Sequence, residues 1–198
     1  MKLIWLCYFY TFLAFTSAAQ LKPTEVDRSP LDVSYWPANY PFLKMGGKTK
    51  DLPIARVIYS RPQKNNRTIF GGIIKYREMW RLGANESTEV EFFSNVLING
   101  KSLKKGRYSL FCIPDETKWT LIFNADNYSW GNFSYDSKKD ILRTEITVQK
   151  NTDSVEYFTM YFDEYRKGGA YLTVLWDDVV ANIPITIGNE ITALPKKK

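Results

Sequence analysis

The stretch Val155-Glu156-Tyr157-Phe158-Thr159-Met160-Tyr161-Phe162 decides the fold class. Successive side chains of an extended chain point to opposite faces, so Phe158, Met160 and Phe162 share one side. Tyr157, Thr159 and Tyr161 share the other. Such a run predicts a strand with one apolar face and one amphipathic face, as in an antiparallel sheet wetted on one side. The same alternation appears in Thr144-Glu145-Ile146-Thr147-Val148-Gln149, where Thr144, Ile146 and Val148 align.

Similar short runs rich in Val, Ile, Thr and aromatics recur along the chain. They predict strands near residues 54–60, 89–93, 96–98, 108–113, 119–124, 144–149, 155–162, 171–176 and 181–187. Spacing of this kind suits a sandwich or barrel. Turn chemistry supports the order. Asn99-Gly100 tolerates positive φ at both central positions and predicts a tight hairpin between Val96-Leu97-Ile98 and Lys101-Ser102-Leu103. Pro114-Asp115-Glu116 reads as a turn, and Gly168-Gly169 as a hairpin connection. One helical turn is expected at 72–80, where Ile73, Tyr76 and Trp80 fall at helical spacing. The expected fold is all-β: an antiparallel, jelly-roll-like β-sandwich of about nine strands with an extended N-terminal arm.

The chain has 198 residues, no histidine and two cysteines. Without imidazole there is no Ser-His-Asp triad, no Cys-His dyad and no histidine metal site. Lys2 precedes an apolar run of 13 residues from Leu3 to Phe15, followed by Thr16-Ser17-Ala18-Ala19. That pattern predicts a secretory signal peptide over 1–19, too short to span a bilayer comfortably. Export to the periplasm or the extracellular space is therefore expected, with no transmembrane segment after cleavage. An extended arm over 20–50, a sandwich over 51–190 and a basic tail over 191–198 complete the expected organisation. Cys112 then remains as the one thiol, within a strand-like run, and reads as a small buried hydrophobe. The charge excess after cleavage sits largely in Lys196, Lys197 and Lys198, so no basic stripe for nucleic acid is expected.

Gly46-Gly47-Lys48-Thr49 looks like the end of a phosphate loop, but Phe42 stands where that motif needs its first glycine. The densest polar cluster is Trp80-Arg81-Leu82-Gly83-Ala84-Asn85-Glu86-Ser87-Thr88-Glu89. Arg81, Asn85, Glu86 and Glu89 offer a guanidinium fork, an amide and two carboxylates on a loop. This is either a pocket for a polar ligand, such as a glycan, or a buried Arg–Glu network pinning the loop. A second cluster contains Asp32, Tyr35 and Trp36, either a sugar-stacking platform or an arm packed on the sandwich. Arg56 is expected to face an acidic residue of the Asn85 loop, and Trp130 is a candidate rim residue. Glu86 with Glu89, or Asp177 with Asp178, could serve a carboxylate-based hydrolase, although neighbours on a strand point apart. Asn66, Asn85, Asn127 and Asn132 each begin an Asn-X-Ser/Thr acceptor pattern, which matters only in a eukaryotic source. No cofactor and no metal site is expected, and the partner is unknown, a glycan or an envelope component among the options. A structural or assembly role with no small-molecule ligand is the remaining alternative.

Several stretches together resemble a known family. They are Asp27-Arg28-Ser29-Pro30, Tyr35-Trp36-Pro37-Ala38-Asn39-Tyr40-Pro41, Ala55-Arg56-Val57-Ile58-Tyr59-Ser60-Arg61-Pro62, Trp80-Arg81-Leu82-Gly83-Ala84-Asn85-Glu86 and Lys105-Gly106-Arg107-Tyr108-Ser109-Leu110. Their order and spacing are similar to the bacterial domain of unknown function 2911 (DUF2911) family, over about residues 27–187. The resemblance implies an exported bacterial protein and no assigned activity.

Overall fold

The computed structural model describes residues 23–188. The strands are β1 (Leu31–Trp36), β2 (Ala55–Ser60), β3 (Glu89–Phe92), β4 (Val96–Ile98), β5 (Lys101–Leu103), β6 (Gly106–Pro114), β7 (Lys118–Asn124), β8 (Asp140–Arg166) and β9 (Gly169–Ile187). One short helix, α1 (Tyr40–Met45), and a single 3-10 turn at Ser137–Lys139 accompany them. The strands form one antiparallel sheet in the order β1-β2-β3-β6-β7-β8-β9-β4-β5.

This sheet folds over through β8 and β9. The first part of β8 pairs with β7, Lys118 lying opposite Thr147. Its register against β9 shifts between Lys150 and Val155, where Asp177 of β9 takes a positive φ. Such bulges bend a paired ribbon. Beyond the bend, β8 meets the chain leaving β2: Tyr157 bridges Gln63, and the Phe158 amide donates to the Pro62 carbonyl at 3.0 Å. The two layers enclose an aromatic core. Trp80 packs edge-on to Trp119 and Phe158 and stacks on Trp176, and Trp36 stacks on Phe162.

The alternation in β8 is as expected, with Phe158, Met160 and Phe162 buried and Tyr157 and Tyr161 outside. Asn99 and Gly100 both have positive φ in the β4–β5 hairpin. Three expectations change. The polar run Lys150-Asn151-Thr152-Asp153-Ser154, which lay between the strands expected at 144–149 and 155–162, stays in strand and forms the bend, so the two merge into β8. Residues 171–176 and 181–187 merge likewise into β9. Within the expected arm, Leu31–Trp36 is an edge strand of the sheet. The helix also lies there rather than at 72–80. Gly71 has φ +79, and a Cβ on Gly72 would sit 2.1 Å from the Thr68 carbonyl oxygen. That backbone is a series of tight turns, and Ile73 points to solvent instead of joining Trp80 in the core.

Candidate functional site

Immediately before β3, the Trp80–Thr88 segment continues the pairing with β6. Trp80 and Cys112 exchange both backbone hydrogen bonds, and the Leu110 amide donates to the Thr88 carbonyl at 2.8 Å. The Thr88 hydroxyl donates to the Leu82 carbonyl. A second loop, residues 125–134, then pairs with this segment. Ser87 N donates to Ser129 O at 2.9 Å, and Gly131 N to Asn85 O at 2.9 Å. The Ser87 hydroxyl donates to the Gly131 carbonyl. Glu86 and Trp130 are thereby set opposite each other.

The outer face of the sheet supplies the floor. Strand register aligns Arg56, Glu91 and Arg107 in one row across β2, β3 and β6, and Ile58, Glu89 and Ser109 in the next. Arg56 Nη2 lies 2.7 Å from Glu91 Oε2, and Arg107 Nη2 lies 3.5 Å from the same oxygen. Glu89 accepts a hydrogen bond from the Tyr128 amide at 2.8 Å and lies 3.7 Å from Arg107 Nη1. Arg107 also donates to the Tyr128 hydroxyl at 2.8 Å, with its guanidinium over that ring. The charged row thus holds the Tyr128 loop upright.

Two adjoining cavities result. One, of about 270 Å³, is lined by Leu31, Ile58, Glu86, Ser87, Glu89, Tyr128 and Ser129. The other, of about 300 Å³, involves Asp27, Asn85, Glu86 and Trp130 around Leu31. Leu31 and Glu86 belong to both, so the two form one groove. Asp27 accepts from the Asn85 amide at 3.0 Å. Among the described residues the Glu86 carboxylate has no hydrogen-bond or ion-pair partner, and Trp130 is 59% exposed. Every charged residue lining the groove is acidic.

A family model described as "Protein of unknown function (DUF2911)" matches residues 45–185. The chain belongs to this family. The DUF2911 match takes in Arg56, Arg81, Asn85, Glu86, Glu89 and Trp130, and leaves β1 outside. Neither the curated proteins nor the solved structures give a match.

Of the residues singled out in this DUF2911 chain, Asn85, Glu86, Glu89 and Trp130 meet at the groove. The others go elsewhere. Arg81 lines a separate cavity of about 120 Å³ with Glu78 and Trp80. Its Nε is buried without a hydrogen-bond partner, and burial lowers its pKa from the ordinary value. Arg81 and Glu86 are therefore not an ion-paired pin. Arg56 pairs with Glu91 of β3 instead of the Asn85 loop, because strand register sets them opposite. Asp32 is bound by Arg61 Nη1 at 3.0 Å, and Arg61 reaches on to the Phe158 carbonyl and the Thr159 hydroxyl, tying β1 to β8. Trp36 is core, and Tyr35 packs on Tyr40 at the far end of β1.

The sequence reading missed Asp27, Leu31, Ile58 and Tyr128. Leu31 and Ile58 are floor residues recognisable only once strand register is known. Tyr128, two residues from Trp130, carried a signal in the aromatic-rich loop. Among the described residues no three acidic or thiol side chains are grouped to hold a metal ion.

Proposed function

We propose that this protein is an exported, non-catalytic module that binds a polar ligand, a glycan by preference, in the groove between Glu86 and Trp130. The observation that carries the reading is the groove itself: an unpartnered carboxylate facing an exposed indole over an apolar floor. Sugars present apolar ring faces for stacking and hydroxyls for carboxylates and amides, so Trp130 and Tyr128 supply the platform. Glu86 and Asn85 supply the polar contacts. The acidic lining favours neutral or cationic saccharides over acidic polymers.

A binding role is favoured over a two-carboxylate hydrolase by the state of Glu89. One of its oxygens accepts the Tyr128 amide and the other faces Arg107, so it serves to hold the wall. That leaves Glu86 as the free carboxylate between the pair. The signal-peptide pattern at 1–19 supports export, and with it a periplasmic or extracellular location.

The test is a thermal-melting screen of residues 20–198 against neutral oligosaccharides, glucosamine oligomers, peptidoglycan fragments and acidic polysaccharides. A native-state ligand at a hundredfold excess over its Kd stabilises by about 2.7 kcal/mol, which raises the midpoint by roughly 5–10 °C. The expected result is a shift for wild type that Glu86→Gln and Trp130→Ala both abolish, with unliganded midpoints unchanged. A wild type that no compound shifts, with Glu86→Gln melting far lower, would make the cluster structural.

A further inference from the structure

The segment between β1 and β2 has a use that the groove does not explain. Its neck is closed by the Ile54 amide donating to the Trp36 carbonyl at 2.8 Å. Beyond the neck, α1 buries none of its residues. Phe42 is 72% exposed, Met45 80% and Leu52 67%. Large apolar side chains at an unpacked site gain nothing for the fold, and single exposed ones are common. Here three occur together, on a loop that is itself held in shape. Gly46 N donates to Phe42 O at 2.9 Å, Lys48 N to Leu43 O at 2.8 Å, and the Tyr40 hydroxyl to Asp51 O at 3.2 Å. Lys44 Nζ donates to Lys50 O at 3.2 Å. The apolar side chains are thus presented by a built scaffold.

Lys44, Lys48 and Lys50 lie in the same loop, all exposed, with Asp51 as the one acid between Tyr40 and Leu52. Exposed apolar side chains interspersed with lysines match an anionic bilayer surface: the apolar tips enter the acyl boundary while the ammonium groups meet lipid phosphates. A protein partner of ordinary composition would not require this excess of positive charge. We propose that the Tyr40–Leu52 loop docks the protein on anionic lipid membranes. β1 separates the loop from the groove, with Trp36 at the docking end and Leu31 at the groove end. Five steps along a strand span about 16 Å. Docking would therefore hold the protein by the end of β1 opposite its binding groove.

The proposal is independent of what the groove binds, and its test uses no groove ligand. Residues 20–198, which contain the whole described fold, are floated with vesicles of phosphatidylcholine alone or mixed with phosphatidylglycerol. Binding to the mixed vesicles and not to the neutral ones is expected, weakening with salt. Phe42→Ser with Met45→Ser should lower partitioning about tenfold or more while melting as wild type does. Lys48→Glu should lower it at least about fivefold. Replacing Lys196, Lys197 and Lys198 by serine controls for the basic tail and should leave most of the binding. The proposal is overturned if wild type ignores anionic vesicles, if the tail variant alone loses binding, or if the Phe42/Met45 variant binds as well as wild type. Self-association abolished by Phe42→Ser, with no vesicle binding, would assign the surface to a second copy of the chain and equally overturn it.

Discussion

Five tryptophans lie among the described residues, and they occupy two different regions. Trp36, Trp80, Trp119 and Trp176 are sealed between the layers, where each packs on another ring. Trp130 stands on the 125–134 loop with most of its surface in water, beside exposed Tyr128 and Phe133. The core rings are held by one another, and the loop is held by backbone bonds to residues 85–87 and by the Glu89–Arg107 pair. The same residue type thus stabilises in one region and is displayed in the other. What differs is who makes the scaffold: in the core the aromatics are the scaffold, and at the groove they ride on one.

The comparison breaks first if the core is open. Burial pushes the Cys112 thiol well above its usual range, and the residue is completely enclosed. A thiol reagent should modify residues 20–198 at least about a thousandfold more slowly when folded than in denaturant, since access requires opening of the core. Rapid labelling under native conditions would contradict the packing.

Trp119→Ala comes next. It removes a ring that contacts both Trp80 and Phe70, and should cost about 3–5 kcal/mol in urea unfolding. A loss below about 1 kcal/mol would mean that the core has redundant support.

The ribbon bend gives an intermediate effect. Lys64 Nζ lies 2.6 Å from Asp177 Oδ1, and Ser154 donates to the same oxygen at 2.9 Å. Burial works to raise the Asp177 pKa, but the hydrogen bonds from Lys64 and Ser154 and the lysine charge outweigh it and lower it below 3.8. A depressed carboxylate contributes stability that is present above the unfolded-state pKa and is lost as pH falls through the folded one. Lys64→Met should therefore cost about 1–2 kcal/mol at neutral pH, a partly screened fraction of the cost of breaking a buried pair. The gap to wild type should narrow below pH 3.8. A pH-independent gap would assign the cost to lost packing of the lysine stem.

The smallest effect on stability belongs to the display side. Trp130→Ala should change unfolding free energy by less than about 0.5 kcal/mol, because the ring packs little. A cost near that of Trp119→Ala would erase the distinction between the regions.

The sequence carried much of this and lost the rest for physical reasons. Alternation exposed the inner face of β8 because Phe158, Met160 and Phe162 are buried by one layer only, leaving the opposite face polar. The bend at Lys150–Val155 was hidden, because polar residues serve an exposed bulge as well as a loop. Glu86, Glu89, Asn85 and Trp130 could be picked out as polar or aromatic residues in turn-rich segments. Their common location could not, since it depends on the 125–134 loop pairing with residues 85–87, some forty positions away in sequence. Arg81 misled because a guanidinium near two carboxylates suggests pairing. The positive-φ bends at Leu82, Gly83 and Asn85 separate the two instead, and Arg81 lines a different cavity from Glu86.

Fluorescence quenching tests the central claim most directly. Acrylamide reaches exposed indoles and spares buried ones, so residues 20–198 should show one accessible tryptophan among five, and Trp130→Phe should remove that component. A saccharide that raises the melting midpoint should shield the accessible component in wild type and fail to do so in Glu86→Gln. If such a saccharide binds and Trp130 stays as quenchable as before, the ligand sits elsewhere and the groove between Glu86 and Trp130 is not the site.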